Sequence, residues 1–141
     1  MKKNGSMAAL VQNDLMNRDD LSCSETVLYA ANRVYGLDLS PDALKLAAGF
    51  GGGMGIEKTC GALTGGIMAL SAIFVKDRAH EGDYIKQLTS EFLERTRTEM
   101  GSIDCDYLKE HFRDEETGCK PTVLKITGFL EELIDRELKK T

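Results

Sequence analysis

Four cysteines are the side chains of this 141-residue sequence best suited to chemistry, and each lies at or near a predicted helix start. They are Cys23, Cys60, Cys105 and Cys119. The unpaired N–H groups and the positive dipole end of a helix stabilise an anion, so they favour the thiolate over the thiol. The thiolate is the reactive form in disulfide exchange, in persulfide chemistry and in soft-metal ligation. The four cysteines are therefore the predicted catalytic or metal-ligating residues.

The spacing of the cysteines does not decide between these chemistries. No Cys-x-x-Cys pair is present, so thioredoxin-type dithiols, zinc ribbons and c-type haem attachment are not supported. Lys58 and Lys120 lie near Cys60 and Cys119 in the sequence and would favour their thiolates if they point inward. Free cysteine is also a common small core residue, so passive buried thiols are an alternative.

A glycine-rich segment, residues 49–66, brings Cys60 to the start of a helix and holds eight of the fourteen glycines. It lacks the Gly-Lys-Ser/Thr ending of a phosphate-binding loop and no predicted strand precedes it, so we expect no nucleotide. Gly61 and Gly65 share one face of the following helix, which lets a second backbone pack close. The same two glycines are the predicted contacts of any cofactor bound beside Cys60.

The elements that must position these residues are predicted to be helices in an all-α, single-domain bundle. Five or six helices are expected, with a glycine-rich crossing before a central buried helix, and no strand is predicted. Residues 1–18 form an N-terminal segment with a poorly determined start, and residues 19–141 form one helical redox-type domain. The predicted helices run from Asp20 or Ser22 to Tyr35, Pro41 to Ala48, Cys60 to Lys76, Asp83 to Met100, Asp104 to Phe112, and Pro121 to Leu138. The predicted N-caps of three of them are Asp20 or Ser22, Ser40 and Thr59.

The charge and the apolar runs of the sequence argue against nucleic acids and membranes as binding partners. A net charge of −5 without a basic stripe argues against nucleic-acid binding. The longest apolar run, residues 62–75, is interrupted by polar residues and glycines and is too short for membrane insertion. Residues 4–6 follow the basic start where a signal peptide would be apolar, so we expect a cytoplasmic location with reduced thiols.

Two histidines and two acids lie near the cysteines in the sequence. His80 is predicted to be an exposed loop residue, and a surface role is favoured for His111 over membership of a metal site. Glu25 and Glu57 could accept a thiol proton, although acids near a helix start are favoured by helix electrostatics alone.

The segment Cys60–Gly65 reads Cys-Gly-Ala-Leu-Thr-Gly and fits a Cys-Gly-Ala-x-x-Gly motif. An earlier cysteine, Cys23, a Gly-Gly-Gly-Met-Gly run and two late cysteines, Cys105 and Cys119, complete the order. From about residue 15 to residue 138 the chain resembles the redox-active family named for its C–GCAxxG–C–C cysteine pattern. The resemblance implies a small bacterial or archaeal helical protein with redox-active cysteines. Some relatives carry Cys-x-x-Cys-His haem modules, which this sequence lacks, so haem is not implied.

Three functions remain open from the sequence. In the first, Cys60 is the nucleophile of a thiol–disulfide redox protein, one of the other cysteines resolves it, and an unidentified redox partner exchanges electrons with it. In the second, all four thiolates bind one iron–sulfur cluster or a Zn ion. In the third, the cysteines are passive core residues of a structural or regulatory protein. Each of the three functions is compatible with a homodimer. The sequence does not decide whether the protein is an enzyme.

Overall fold

The computed structural model describes residues 1–140, which are built from α-helices as predicted. The eight α-helices of this range are α1 Met7–Gln12, α2 Leu15–Arg18, α3 Cys23–Tyr35, α4 Pro41–Leu44, α5 Gly61–Phe74, α6 Tyr84–Met100, α7 Cys105–Phe112 and α8 Lys120–Leu138. The number exceeds the predicted five or six because the N-terminal segment contributes two short helices. No helix among residues 1–140 is long and apolar enough to cross a membrane.

Helix ends follow the local sequence signals at most boundaries. Ser22 caps α3 in a capping box, in which Glu25 N–H donates to Ser22 Oγ at 3.3 Å and Ser22 N–H donates to Glu25 Oε1 at 3.0 Å. Gly36 ends the same helix in the left-handed conformation, with φ at 60°. The predicted cap of α5 was wrong by one residue. Its N-cap is Cys60, because Thr59 is extended and pairs with Asp104 in an antiparallel bridge.

The segment between α4 and α5 departs further from the prediction. The helix that begins at Pro41 is an α-helix only to Leu44 and continues as a 3-10 helix over Lys45–Phe50. A π-type turn then covers Gly53–Glu57, with Met54 in a left-handed conformation. The glycine-rich segment is therefore a sequence of tight turns that leads the chain to Cys60.

Helix α5 is the central buried helix that its small residues predict. Leu63 and Leu70 are fully buried, and the α3 backbone packs directly on its glycine face. A Cβ atom at Gly65 would lie 2.8 Å from the Cα atom of Ser24, which is closer than real Cβ contacts come. The absence of a side chain at this position sets how closely α3 and α5 pack.

The N-terminal helix α1 is attached to α8 by one acidic side chain. The Glu131 carboxylate accepts hydrogen bonds from the N–H groups of Met7 and Ala8, both at 3.0 Å, and pairs with Lys3 Nζ at 2.8 Å. A carboxylate in this position satisfies the free N–H groups of the first helical turn. Helix α2 follows directly, buries Leu15 and packs against α3.

Candidate functional site

The four cysteines lie together on the wall of one cavity with a volume of about 320 Å³. The wall is formed by α2, by the glycine-rich segment and by the N-terminal ends of α3, α5, α7 and α8. Its residues include Cys23, Cys60, Cys105 and Cys119, with Met16, Asn17, Leu21, Gly51, Gly52, Gly61, Leu108, Lys109 and Thr122. The structure thus brings together all the cysteines that the sequence analysis singled out.

Each cysteine occupies the first position of a helix or the position just before it. Cys23 and Cys105 are the first residues of α3 and α7, and Cys60 and Cys119 are the N-caps of α5 and α8. The prediction that all four lie at helix starts is confirmed. Since the positive ends of four helices converge on the cavity, negative charge on its wall is favoured.

Cys23 and Cys119 form a pair through their side chains and are both half-buried. Hydrogen bonding with Cys23 lowers the pKa of the Cys119 thiol to about 6, in spite of the opposing effect of burial. The same hydrogen bond, together with burial, raises the pKa of Cys23. These opposite directions favour Cys119 over Cys23 as the thiol that ionises first.

The cations that act on this pair are Lys109 in α7 and Arg113, the residue that ends α7, and not the neighbours of the cysteines in sequence. Arg113 and Lys109 help to lower the pKa of Cys119, while Lys120 pairs with Asp14 at 3.8 Å. The expected cations were Lys58 and Lys120, and neither Arg113 nor Lys109 was predicted. The available signal was spacing, because Lys109 lies four residues after Cys105 and shares its helix face.

Cys60 and Cys105 are linked through their backbones instead. The bridge between Thr59 and Asp104 places them on two short antiparallel segments. Cys60 N–H donates to Ile103 O at 2.8 Å, and Cys105 N–H donates to Lys58 O at 2.5 Å. No strand propensity in the sequence predicts this pairing, and it fixes where α5 and α7 begin.

The thiols of Cys60 and Cys105 are only 5% and 8% exposed. Burial raises the pKa of Cys60 to about 11, and the N–H groups of Ala62 and Leu63, which favour the thiolate, do not offset it. Burial also raises the pKa of Cys105, although Lys109 acts in the opposite direction. Both residues are therefore thiols at neutral pH.

Two glycines are required by the packing around these thiols. Gly53 has a φ of 62°, and a Cβ atom there would lie 2.6 Å from the backbone nitrogen of Lys58 and 2.7 Å from Cys105 Cβ. Gly61 lines the cavity, and a Cβ atom there would lie 3.2 Å from Cys23 Cβ. Gly65 packs against the Ser24 backbone and is not part of the cavity wall. The cofactor contacts expected at Gly61 and Gly65 stay a prediction.

The histidines and acids have other roles. His80 is exposed, and His111 is exposed and stacks on the Tyr107 ring at 3.9 Å. Glu25 caps α3, and Glu57 pairs with Lys109 at 2.9 Å. Within residues 1–140 no three His, Cys, Asp or Glu side chains are grouped as a metal ion requires. The iron–sulfur or Zn centre stays a prediction.

Comparison with known proteins identifies one family. Residues 21–133 match the model of the family described as "Putative redox-active protein (C_GCAxxG_C_C)". The match covers most of the chain and contains all four cysteines, and it begins after α2. The chain matches no curated protein and no solved structure.

Proposed function

The chain belongs to this redox-active family, and from that premise we propose that it is a thiol–disulfide redox protein in which Cys23 and Cys119 exchange. The observation that carries the proposal is the placement of these two cysteines on the wall of one cavity, where each side chain interacts most strongly with the other. Both are half-buried, so a reactant in the cavity can reach them.

The reaction begins with the Cys119 thiolate. It attacks one sulfur of a substrate disulfide, a new S–S bond forms to Cys119, and one substrate thiolate leaves. Cys23 gives its proton to that thiolate and attacks the Cys119 sulfur, which releases the second substrate thiolate. The protein dithiol has then lost two electrons, and the substrate disulfide has gained them.

An external dithiol must reduce the Cys23–Cys119 disulfide again. This reductant is the redox partner that the sequence analysis expects but does not identify. The cytoplasm, which is the location expected from the sequence, holds thiols that can play this part.

The proposed nucleophile differs from the one that the sequence favoured. A central role for Cys60 is still an untested prediction, but its burial keeps it protonated at neutral pH. Cys119 has a hydrogen-bond donor and two cations beside it. These contacts support Cys119 as the attacking thiol and Cys23 as the resolving one.

The test is a count and a map of thiols after mild oxidation. Reduced protein treated with a small excess of a disulfide should lose two of its four thiols, and peptide mass mapping should place the bond between Cys23 and Cys119. Cys119→Ser and Cys23→Ser should form no internal disulfide, whereas the matched control Cys105→Ser should still form it.

Three results would contradict the proposal. The first is a disulfide that joins Cys60 to Cys105 while Cys23 and Cys119 stay reduced. The second is the retention of all four thiols, as passive core residues would show. The third is protein purified without oxygen that carries stoichiometric iron or Zn released only when the cysteines are replaced.

A further inference from the structure

We infer that the cavity accepts a low-molecular-weight disulfide with an anionic end, which lies against Arg113 while Cys119 attacks the nearer sulfur. This inference rests on the proposed function and names the substrate class of the same site. It follows from the size of the cavity, the character of its wall and the charges beside Cys119.

The size of the cavity favours a small reactant. Its 320 Å³ is near the lower end of the range of roughly 300 to 1,000 Å³ found for small-molecule sites. None of the four thiols lies on the open surface. A disulfide on a folded protein would have to enter this space, whereas a small disulfide fits into it.

The wall suits the carbon atoms that flank a disulfide bond. Met16, Leu21 and Leu108 supply apolar side chains, and Gly51 and Gly52 supply backbone without side chains. An apolar wall with few polar groups is typical of sites for small organic ligands. Methylene groups next to the substrate sulfur would be buried there.

The charges beside the nucleophile favour an anion. Lys109 lines the cavity and also the adjoining rim that carries Arg113, and both cations help to lower the pKa of Cys119. Lys109 is already paired with Glu57 at 2.9 Å. Within residues 1–140 the exposed Arg113 side chain has no ion-pair partner. A guanidinium can bind a carboxylate through two parallel hydrogen bonds, so Arg113 is the cation available to the substrate.

The acids next to Arg113 leave this site available. Asp114 accepts hydrogen bonds from the N–H groups of Glu116 and Thr117, at 2.8 and 3.0 Å, and so is held in its own turn. Glu115 is exposed on the same rim and is the acid that competes with a substrate carboxylate. Its replacement should therefore strengthen the preference for an anion.

The experiment compares three symmetrical small disulfides that differ in charge. Reduced protein is mixed with 3,3′-dithiodipropionate, bis(2-hydroxyethyl) disulfide or cystamine, and each rate constant is divided by that of a free neutral thiol, 3-mercapto-1,2-propanediol, with the same disulfide. At low salt the normalised rate should be about tenfold higher for the anionic disulfide than for the cationic one. The ratio should fall as salt is added.

Substitutions of single charged residues identify the cation that binds the anionic end of the disulfide. Arg113→Gln should reduce the anion-to-cation ratio severalfold, whereas Lys86→Gln, an exposed lysine on α6, should leave it unchanged. Glu115→Gln should raise it. Because a change in the pKa of Cys119 affects all three disulfides alike, the ratio reports recognition and not the reactivity of the thiol.

The outcomes separate the substrate class from the proposed function. Equal normalised rates for the three disulfides, or an Arg113→Gln ratio equal to that of the parent protein, would overturn the inference while the Cys23–Cys119 exchange stands. Faster oxidation by a folded protein disulfide than by any small one would also overturn it. If no disulfide oxidises the protein, the proposed function itself fails.

Discussion

Cys119 and Cys60 both occupy the N-cap position of a long helix, yet their pKa values are shifted in opposite directions. The N–H groups at the start of α5 favour the Cys60 thiolate, but burial outweighs them. At Cys119 a thiol donor and two cations outweigh burial. A helix N-terminus is therefore not enough to make a cysteine reactive. The neighbouring donor and the degree of burial decide the outcome.

The two pairs of cysteines, Cys23 with Cys119 and Cys60 with Cys105, also differ in how their members are connected. Cys23 and Cys119 both line the cavity, and each side chain interacts most strongly with the other. Cys60 and Cys105 are tied by the bridge between Thr59 and Asp104, so their backbones carry the link. The first pair is the one that we propose to exchange, and the bridge beside the second pair fixes the starts of α5 and α7. Three predictions test this division.

The largest expected effect is a difference in alkylation rate between Cys119 and Cys60. At pH 7 the pKa of about 6 leaves most of Cys119 as thiolate, whereas the pKa of about 11 leaves Cys60 almost fully protonated. After correction for the lower intrinsic nucleophilicity of a low-pKa thiolate, iodoacetamide should modify Cys119 about 100-fold faster.

The pH profile checks the sign of this effect. Below pH 6 Cys119 gains a proton and its alkylation slows, and above pH 6 the rate rises to a plateau. Cys60 should stay slow up to about pH 9. Peptide mass mapping of timed samples from pH 4.5 to 9 measures both residues in the same protein, so each is the other's internal control. Equal rates at pH 7 would remove the distinction between the pairs.

A smaller effect is expected from removing the donor to Cys119. Cys23→Ala deletes the S–H group, so the pKa of Cys119 should rise towards its ordinary value, and alkylation at pH 6 should slow about tenfold. Cys23→Ser keeps an O–H donor and should keep a midpoint near the original one. Cys105→Ala, from the other pair, should leave the Cys119 midpoint in place. An unchanged midpoint in Cys23→Ala would assign the low pKa to the cations alone.

The sequence predicted most helices because their signals are local. The capping box of Ser22 and Glu25 and the left-handed Gly36 define α3 within a single stretch of chain. The helix starts at all four cysteines were predictable in the same way. The turns before α5 were not, because Met54 and Glu57, which are not glycines, adopt left-handed conformations there. Tertiary contacts, and not residue type, hold such conformations.

The site was predictable as a set of residues but not as two pairs. Convergence of the cysteines depends on the close packing of α3 on α5 at Gly61, and the face of small residues did signal that packing. Which thiols touch depends on side-chain positions between α3 and α8, which are distant in sequence. The direction of each pKa shift depends on burial and on cations from α7, and neither follows from spacing.

The smallest expected effect tests the structural pair with two matched glycines. Gly53 and Gly55 both have positive φ, 62° and 75°, so Ala at either position costs about 1 kcal/mol of backbone strain. At Gly55 nothing lies within 4 Å of the added Cβ, whereas at Gly53 the Lys58 nitrogen lies 2.6 Å away. Gly53→Ala should therefore lower the free energy of unfolding, measured with urea, by about 1 kcal/mol more than Gly55→Ala.

The clash expected in Gly53→Ala lies beside Cys60 and Cys105, so the comparison of the two glycine variants tests that pair of cysteines. The added methyl group at Gly53 would press on Lys58 and on Cys105 Cβ, which belong to the bridged segments, and not on Cys23 or Cys119. Folded Gly53→Ala protein should therefore still form the Cys23–Cys119 disulfide at the parent rate. An equal loss of stability in both variants would show that the bridge can move to accept the methyl group. Slower disulfide formation in Gly53→Ala alone would show that the two pairs are coupled, and that the bridge positions the exchanging thiols as well as the helix ends.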